Sequence, residues 1–143
     1  MKVSECMSTD VELCSPDDTI RSVARTMREI DAGAMPVGEN DRLVGMITDR
    51  DICIRAVAEG MGPETRVRQV MSSSPRWCYE DEELSDVSDH MAEFKIRRLP
   101  VLSREKRLVG MISLGDVALA DSGRESAHAL QEISEPGGMH SQH

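Results

Sequence analysis

The sequence predicts a mixed α/β fold made of two βαββα units packed about a pseudo-two-fold axis. Three observations carry this. The first is internal repetition. Displaced by 64 positions, Val3 falls on Val67, Met7-Ser8 on Met71-Ser72, Cys14 on Cys78, Val23 on Val87, Met27 on Met91 and Pro36-Val37 on Pro100-Val101. The offset then becomes 65 and brings "RLVGMI" at 42–47 onto the same letters at 107–112. The second is that each copy alternates β-prone runs with stretches of helical period. The third is number: two copies are too few for a solenoid, which needs about three to stack stably, whereas 143 residues suit one compact pair.

The elements follow in order. Residues 11–14 and 77–79 are short, β-prone entries. "TIRSVARTMREI" sets Ile20, Val23, Ala24, Met27 and Ile30 on one helical face, and the second copy answers with Leu84, Val87, Met91 and Phe94. Ser15-Pro16-Asp17-Asp18 supplies cap-type residues and an early proline ahead of the first of these helices. "MPVGENDRLVGMIT" and "LPVLSREKRLVGMIS" read as two strands joined by a charged turn, hence hairpins. The added residue lies in those turns, where an insertion costs little. A second helix follows each hairpin, over 49–59 with Ile52, Ile54, Ala56 and Val57 as its apolar residues, and over 115–120. The expected organisation is a first unit at 1–60, a linker at 61–66, a second unit at 67–120, and a tail at 121–143 with a short helix and a disordered end.

Composition narrows the function. The net charge of −9 argues against a nucleic-acid backbone or an anionic membrane as principal partner. No run approaches the roughly 20 apolar residues of a membrane span, and the first residues lack the pattern of a secretory signal. The four cysteines form no CxxC pair, which fits a reducing compartment and a cytoplasmic location. With three aromatics and ten methionines, the core must be aliphatic and adaptable.

Each hairpin ends in Gly-x-x-[Ser/Thr]-x-x-Asp: Gly45, Thr48 and Asp51, then Gly110, Ser113 and Asp116. Thr48-x-x-Asp51 and Ser113-x-x-Asp116 have the form of a capping box with Asp in place of Glu. In one reading the hydroxyl and carboxylate cap the helix and the glycine lets backbones pack closely. In the other, the helix start and hydroxyl meet a phosphate, the carboxylate accepts from two vicinal ribose hydroxyls, and the glycine admits a flat ring or sugar. The two readings can coexist.

The repeated Met-Ser starts, Met35-Pro36-Val37 and Leu99-Pro100-Val101, and the two Gly-x-x-[Ser/Thr]-x-x-Asp elements together resemble the cystathionine β-synthase (CBS) domain, an approximately 60-residue unit occurring in tandem pairs. The likeness spans residues 3–120, and "TDRD" at 48–51 is similar to stand-alone bacterial pairs of the hypoxic-response type. The resemblance implies βαββα units packed through their sheets, with two clefts that take adenosine ligands: AMP, ADP or ATP, sometimes NAD or S-adenosylmethionine. It implies ribose contacts from Asp51 and Asp116, phosphate contacts from Thr48 and Ser113, and an adenine flanked by Met35, Pro36, Val37, Leu99, Pro100 and Val101, partly through backbone groups. It also implies a homodimer.

Two residues between hydroxyl and acid differ, Asp49-Arg50 against Leu114-Gly115, so Arg50 could neutralise a phosphate in one copy only, and unequal sites are expected. Arg98, beside Arg97, could reach a phosphate or simply be solvated. Trp77 could stack on a base or sit half-buried in a strand. Cys14 and Cys78 are either buried small side chains or a redox pair. The four histidines have no metal-ligand spacing, and no metal is expected. No nucleophile–base pair, metal cluster or phosphate-binding Gly-rich loop is present. The reading is a regulatory, non-enzymatic module that senses an adenosine ligand for an unknown effector protein. A nucleotide-free interaction module is the alternative, and a thiol redox sensor a weaker one.

Overall fold

The computed structural model describes residues 1–120, and the tail expected at 121–143 lies outside them. The chain forms two compact units whose borders differ from the repeat borders. One is contiguous, Glu12–Pro75; the other is split, Met1–Val11 together with the chain from Arg76 onward.

In the contiguous unit α1 (Ile20–Ile30) is capped by Thr19, whose side chain accepts from the Ser22 N–H at 3.2 Å. The cap is therefore one residue beyond the Ser-Pro-Asp-Asp stretch; Asp18 instead accepts the Ser15 N–H at 2.9 Å. Thr19→Ala should cost about 1 kcal/mol, measurable as a shift in the urea midpoint. Ile20, Val23 and Met27 are buried, while Ala24 and Ile30 are exposed, so the apolar stripe is narrower than the period suggests.

Strands β1 (Ala34–Glu39) and β2 (Arg42–Thr48) pair antiparallel, with a register shift at Val37/Gly38. Asn40 and Asp41 turn the hairpin at φ 56° and 64°, the both-positive geometry whose twist matches the strands. The strand expected at 11–14 reduces to one bridge, Cys14 to Val37, with Leu13 before it largely exposed.

The second helix begins as α2 (Asp49–Asp51) and continues as a π-helical stretch over Ile52–Val57. Only Ala56 of its apolar residues is buried; Ile54 and Val57 are 49 % and 65 % exposed, against the expected apolar face. Positions 54 and 57 make a stripe of their own, turned outward.

The expected linker is also part of this unit: the Thr65 and Pro63 carbonyls accept the Ile20 and Arg21 N–H groups at 2.9 and 3.2 Å. They satisfy donors that every helix start leaves open. Val67 and Val70 then join Cys14, Ile20, Val23, Met27, Met35, Val37, Ile47 and Ala56 in the core.

The split unit repeats the plan. β3 (Cys78–Tyr79) pairs parallel with β4 (Arg98–Leu102), which pairs antiparallel with β5 (Leu108–Ser113). α3 (Leu84–Phe94) buries Leu84, Val87 and Met91 as expected and leaves Phe94 half-buried. α4 covers Leu114–Ala120 and anchors itself through Val117. Val3 completes this core, and the Met1 carbonyl accepts the Leu84 N–H at 2.8 Å.

The physical reason for the displaced borders is strand addition. Ser8 exchanges backbone hydrogen bonds of 2.8 and 2.9 Å with Met111 on β5, and Ser72 exchanges 2.9 and 3.0 Å bonds with Met46 on β2. Each Met-Ser start thus docks on the hairpin of the other repeat, moving the unit borders to Val11/Glu12 and Pro75/Arg76.

Candidate functional site

Both hydroxyl–carboxylate pairs stand at a strand-to-helix junction and close on themselves. Thr48 Oγ1 accepts the Asp51 N–H at 3.0 Å while Asp51 Oδ2 accepts the Thr48 N–H at 3.0 Å. Ser113 Oγ accepts the Asp116 N–H at 3.1 Å, and Asp116 Oδ2 accepts the Ser113 N–H at 2.9 Å. These are reciprocal capping boxes, and the half-buried carboxylates are held by them in one orientation. Each box uses one carboxylate oxygen and one lone pair of the hydroxyl. The other carboxylate oxygen and the hydroxyl proton lie outside it.

The surroundings of the two boxes differ. Asp51 Oδ1 faces Arg55 Nε at 3.8 Å, and Arg55 also donates to the Val70 and Met71 carbonyls at 3.2 Å each. The corresponding residue of the other repeat is Ala120. Arg55 was missed from sequence, although an acid four residues before an arginine on a helix is a recognisable pair. Arg50 is exposed, and its N–H donates to Asp49 Oδ1 at 2.8 Å. Arg98 is exposed and lies directly across the β4–β5 ladder from Ser113.

On the side where a Cβ would project, neither glycine has free space. A Cβ on Gly45 would stand 2.7 Å from the Ser72 oxygen and 2.7 Å from Met71 Sδ; on Gly110 it would stand 2.7 Å from the Ser8 oxygen and 2.8 Å from Met7 Sδ. The space is taken by the chain's own Met-Ser starts, so the close-packing reading of these glycines is the one realised. Met35, Val37, Leu99 and Val101 are core residues, and Pro36 and Pro100 are buried as well. Only backbone groups of these six are left to meet a ligand. The Pro36 carbonyl already accepts the Cys14 N–H at 3.1 Å.

Burial pushes the Cys14 and Cys78 thiols up to about 12, helped by Asp18 and Glu82 respectively. Burial likewise raises Cys6, with Asp116 adding to it. Trp77 is half-buried against Tyr79, edge-on at 4.7 Å between ring centroids. Among the described residues no group of three or more His, Cys, Asp and Glu is placed to hold a metal ion, and no helix is long and apolar enough to cross a membrane. His128, His140 and His143 lie outside the described residues.

The chain resembles known proteins along most of its length. CBS domain-containing protein YhcV of Bacillus subtilis is 41% identical over 133 residues, covering 92% of this chain and 94% of that protein. Hypoxic response protein 1 of Mycobacterium tuberculosis is 36% identical over 116 residues, 80% of each. A crystal structure of Hypoxic Response Protein I with two coordinated zinc ions superimposes with a TM-score of 0.76 at 33% identity, over 83% of this chain and 98% of that one. The structure of CBSX2 in complex with AMP gives 0.74 at 23% identity, over 83% and 94%, a likeness of fold alone. The family model for the CBS domain matches residues 3–57 and again 67–123, the same two stretches that the internal repeat picks out. With two matched capping boxes, two matched hairpins and two family matches, the chain belongs to the CBS-domain family and carries a tandem pair of its domains.

Proposed function

We propose that the chain is a regulatory module that binds an adenosine nucleotide of the AMP, ADP or ATP type at its two capping boxes. NAD and S-adenosylmethionine carry the same ribose and adenine and are alternative ligands. The observation that carries this reading is the state of the two carboxylates. Asp51 and Asp116 each have one oxygen fixed by a backbone N–H, which sets the orientation of the second without further ordering cost; Asp116 offers that second oxygen to a ribose diol outright, and Asp51 offers it from beside Arg55 Nε at 3.8 Å. Thr48 and Ser113 accept through oxygen and keep a proton to donate to a phosphate. The complex of CBSX2 with AMP supports the ligand class at the level of the fold. Occupancy would favour one of two conformations by differential affinity, and an effector protein would read the shift, with a homodimer as the working unit.

Titration calorimetry with AMP and with ATP tests this. Asp51→Ala and Asp116→Ala should each weaken the site they belong to by about 10- to 100-fold, the scale of a charged hydrogen bond worth about 1.5–3 kcal/mol. Each variant should remain folded, losing only its cap contribution of about 1 kcal/mol. Thermal shift supplies the companion measurement, since a ligand at 100-fold its Kd adds about 2.7 kcal/mol. Wild-type affinity for both nucleotides in both variants, or no shift with any adenosine compound, would leave the boxes as caps and favour the interaction-module reading.

A further inference from the structure

α1 and α3 are equivalent helices of the two repeats, yet their exposed faces carry opposite charge. Arg21, Arg25 and Arg28 are exposed along α1, and Asp86, Asp89 and Glu93 are exposed along α3. Steps of three and four residues keep each trio on one helix face. None of the six enters an ion pair among the described residues. Where the repeats align, Arg25 falls directly on Asp89.

The helices' own electrostatics accounts for only part of this pattern. A helix start is positive and a helix end negative, so Arg28 in the last turn of α1 and Asp86 in the first turn of α3 are favoured where they stand. Arg21 stands in the first turn of α1 and Glu93 in the last turn of α3, each at the end that disfavours it. Both call for an opposite charge from outside their own helix. Along α1 the arginines are separated by four and then three residues; along α3, read from its C-terminal end, the acids are also separated by four and then three. At about 1.5 Å per residue the two rows coincide when the helices run antiparallel. Two α1 helices meeting each other would set guanidinium against guanidinium, and two α3 helices carboxylate against carboxylate, both disfavoured.

Resting on the homodimer of the reading above, we propose that α1 of one copy docks antiparallel on α3 of a second copy, in the register Arg21–Glu93, Arg25–Asp89 and Arg28–Asp86. Two-fold symmetry returns the same contact with the copies exchanged. An exposed ion pair shifts a dissociation constant by roughly fivefold at most. The stripes therefore select partner and register, and apolar burial supplies the affinity. Leu119, on α4 packed against α3, is 89 % exposed, and Ile54, its equivalent in the other repeat, is exposed as well.

Sedimentation velocity on the full chain tests this. The wild type should be a dimer that weakens with added salt. Arg21→Glu/Arg25→Glu/Arg28→Glu and Asp86→Arg/Asp89→Arg/Glu93→Arg should each weaken self-association by about tenfold or more. Mixed in equal amounts, the two triple variants should form a heterodimer at least as tight as the wild-type dimer. Single variants read the register: Arg21→Glu should recover on mixing with Glu93→Arg and not with Asp86→Arg. Thermal melts check that each variant is folded, since all six positions are on the surface. A wild-type dimer indifferent to both triple variants, triple variants that fail to recombine, or recovery of Arg21→Glu by Asp86→Arg instead overturns this contact and leaves the homodimer standing. A monomeric wild type overturns both, and leaves nucleotide binding to the calorimetry above.

Discussion

Gly110→Ala and Gly45→Ala should each destabilise the chain by about 1–3 kcal/mol, the range for forcing an extra methyl into a filled space. In both cases the new Cβ falls 2.7 Å from a carbonyl oxygen, that of Ser8 or Ser72. The nearby methionine sulfurs can swing aside, but those oxygens cannot. Each belongs to a residue bonded through both its N–H and its C=O to the strand that carries the glycine. Relief of the clash must lengthen those bonds, which are worth about 1 kcal/mol each. Gly38→Ala is the internal comparison, since its Cβ would meet nothing closer than 3.6 Å and φ there is not positive. Urea denaturation should show lower midpoints for the first two variants and little change for Gly38→Ala, with m unaltered. Unfolding free energies within about 0.5 kcal/mol of wild type for Gly45→Ala and Gly110→Ala would mean that the Met-Ser starts do not dock on these strands. The expected loss concerns folding rather than binding, which separates the glycines from Asp51 and Asp116.

The repeat, the hairpins and the capping boxes were legible in sequence because each is written in neighbouring residues. A capping box needs only positions three apart, and a hairpin only two apolar runs about a polar turn. The exchange of chain starts was not legible. Met7-Ser8 and Met71-Ser72 are the same dipeptide, and either could add to either hairpin; what decides is chain path, which no local pattern records. The role of Gly45 and Gly110 was hidden for the same reason, since the neighbour that fills their space is remote in sequence. Ile54 and Val57 misled because an apolar residue on a helix reads as core until the helix loosens and turns them out. Asp51–Arg55 was within reach of the i, i+4 rule, but Arg55's two carbonyl contacts, 15 and 16 residues away, were not.

Above pH 9 the protein should lose stability through Cys14 and Cys78. Burial, then Asp18 for Cys14 and Glu82 and Cys6 for Cys78, lifts both thiols from an ordinary value of 9.0 to about 12. Between those values the folded chain keeps two protons that the unfolded chain releases. Unfolding therefore releases protons, and stability falls as pH rises; the contribution is intact below 9 and is lost progressively toward 12. At 1.36 kcal/mol per pH unit per group, the two thiols together account for a loss of about 5 kcal/mol between pH 9 and 11. Urea midpoints across that range should fall more steeply for the wild type than for Cys14→Ala/Cys78→Ala, whatever the double variant costs at neutral pH. The exposed Cys53 serves as the contrast: native-state alkylation should label it and spare the buried pair. Parallel alkaline slopes in the two proteins, or rapid labelling of Cys14 and Cys78, would show that the thiols are not held protonated. The same experiment weighs on the thiol-sensor alternative, because the thiolate is the species that attacks an oxidant or a disulfide. A pair kept protonated to about pH 12 lacks that species under physiological conditions, and its equivalent place in both repeats is then a matter of filling two equivalent cores.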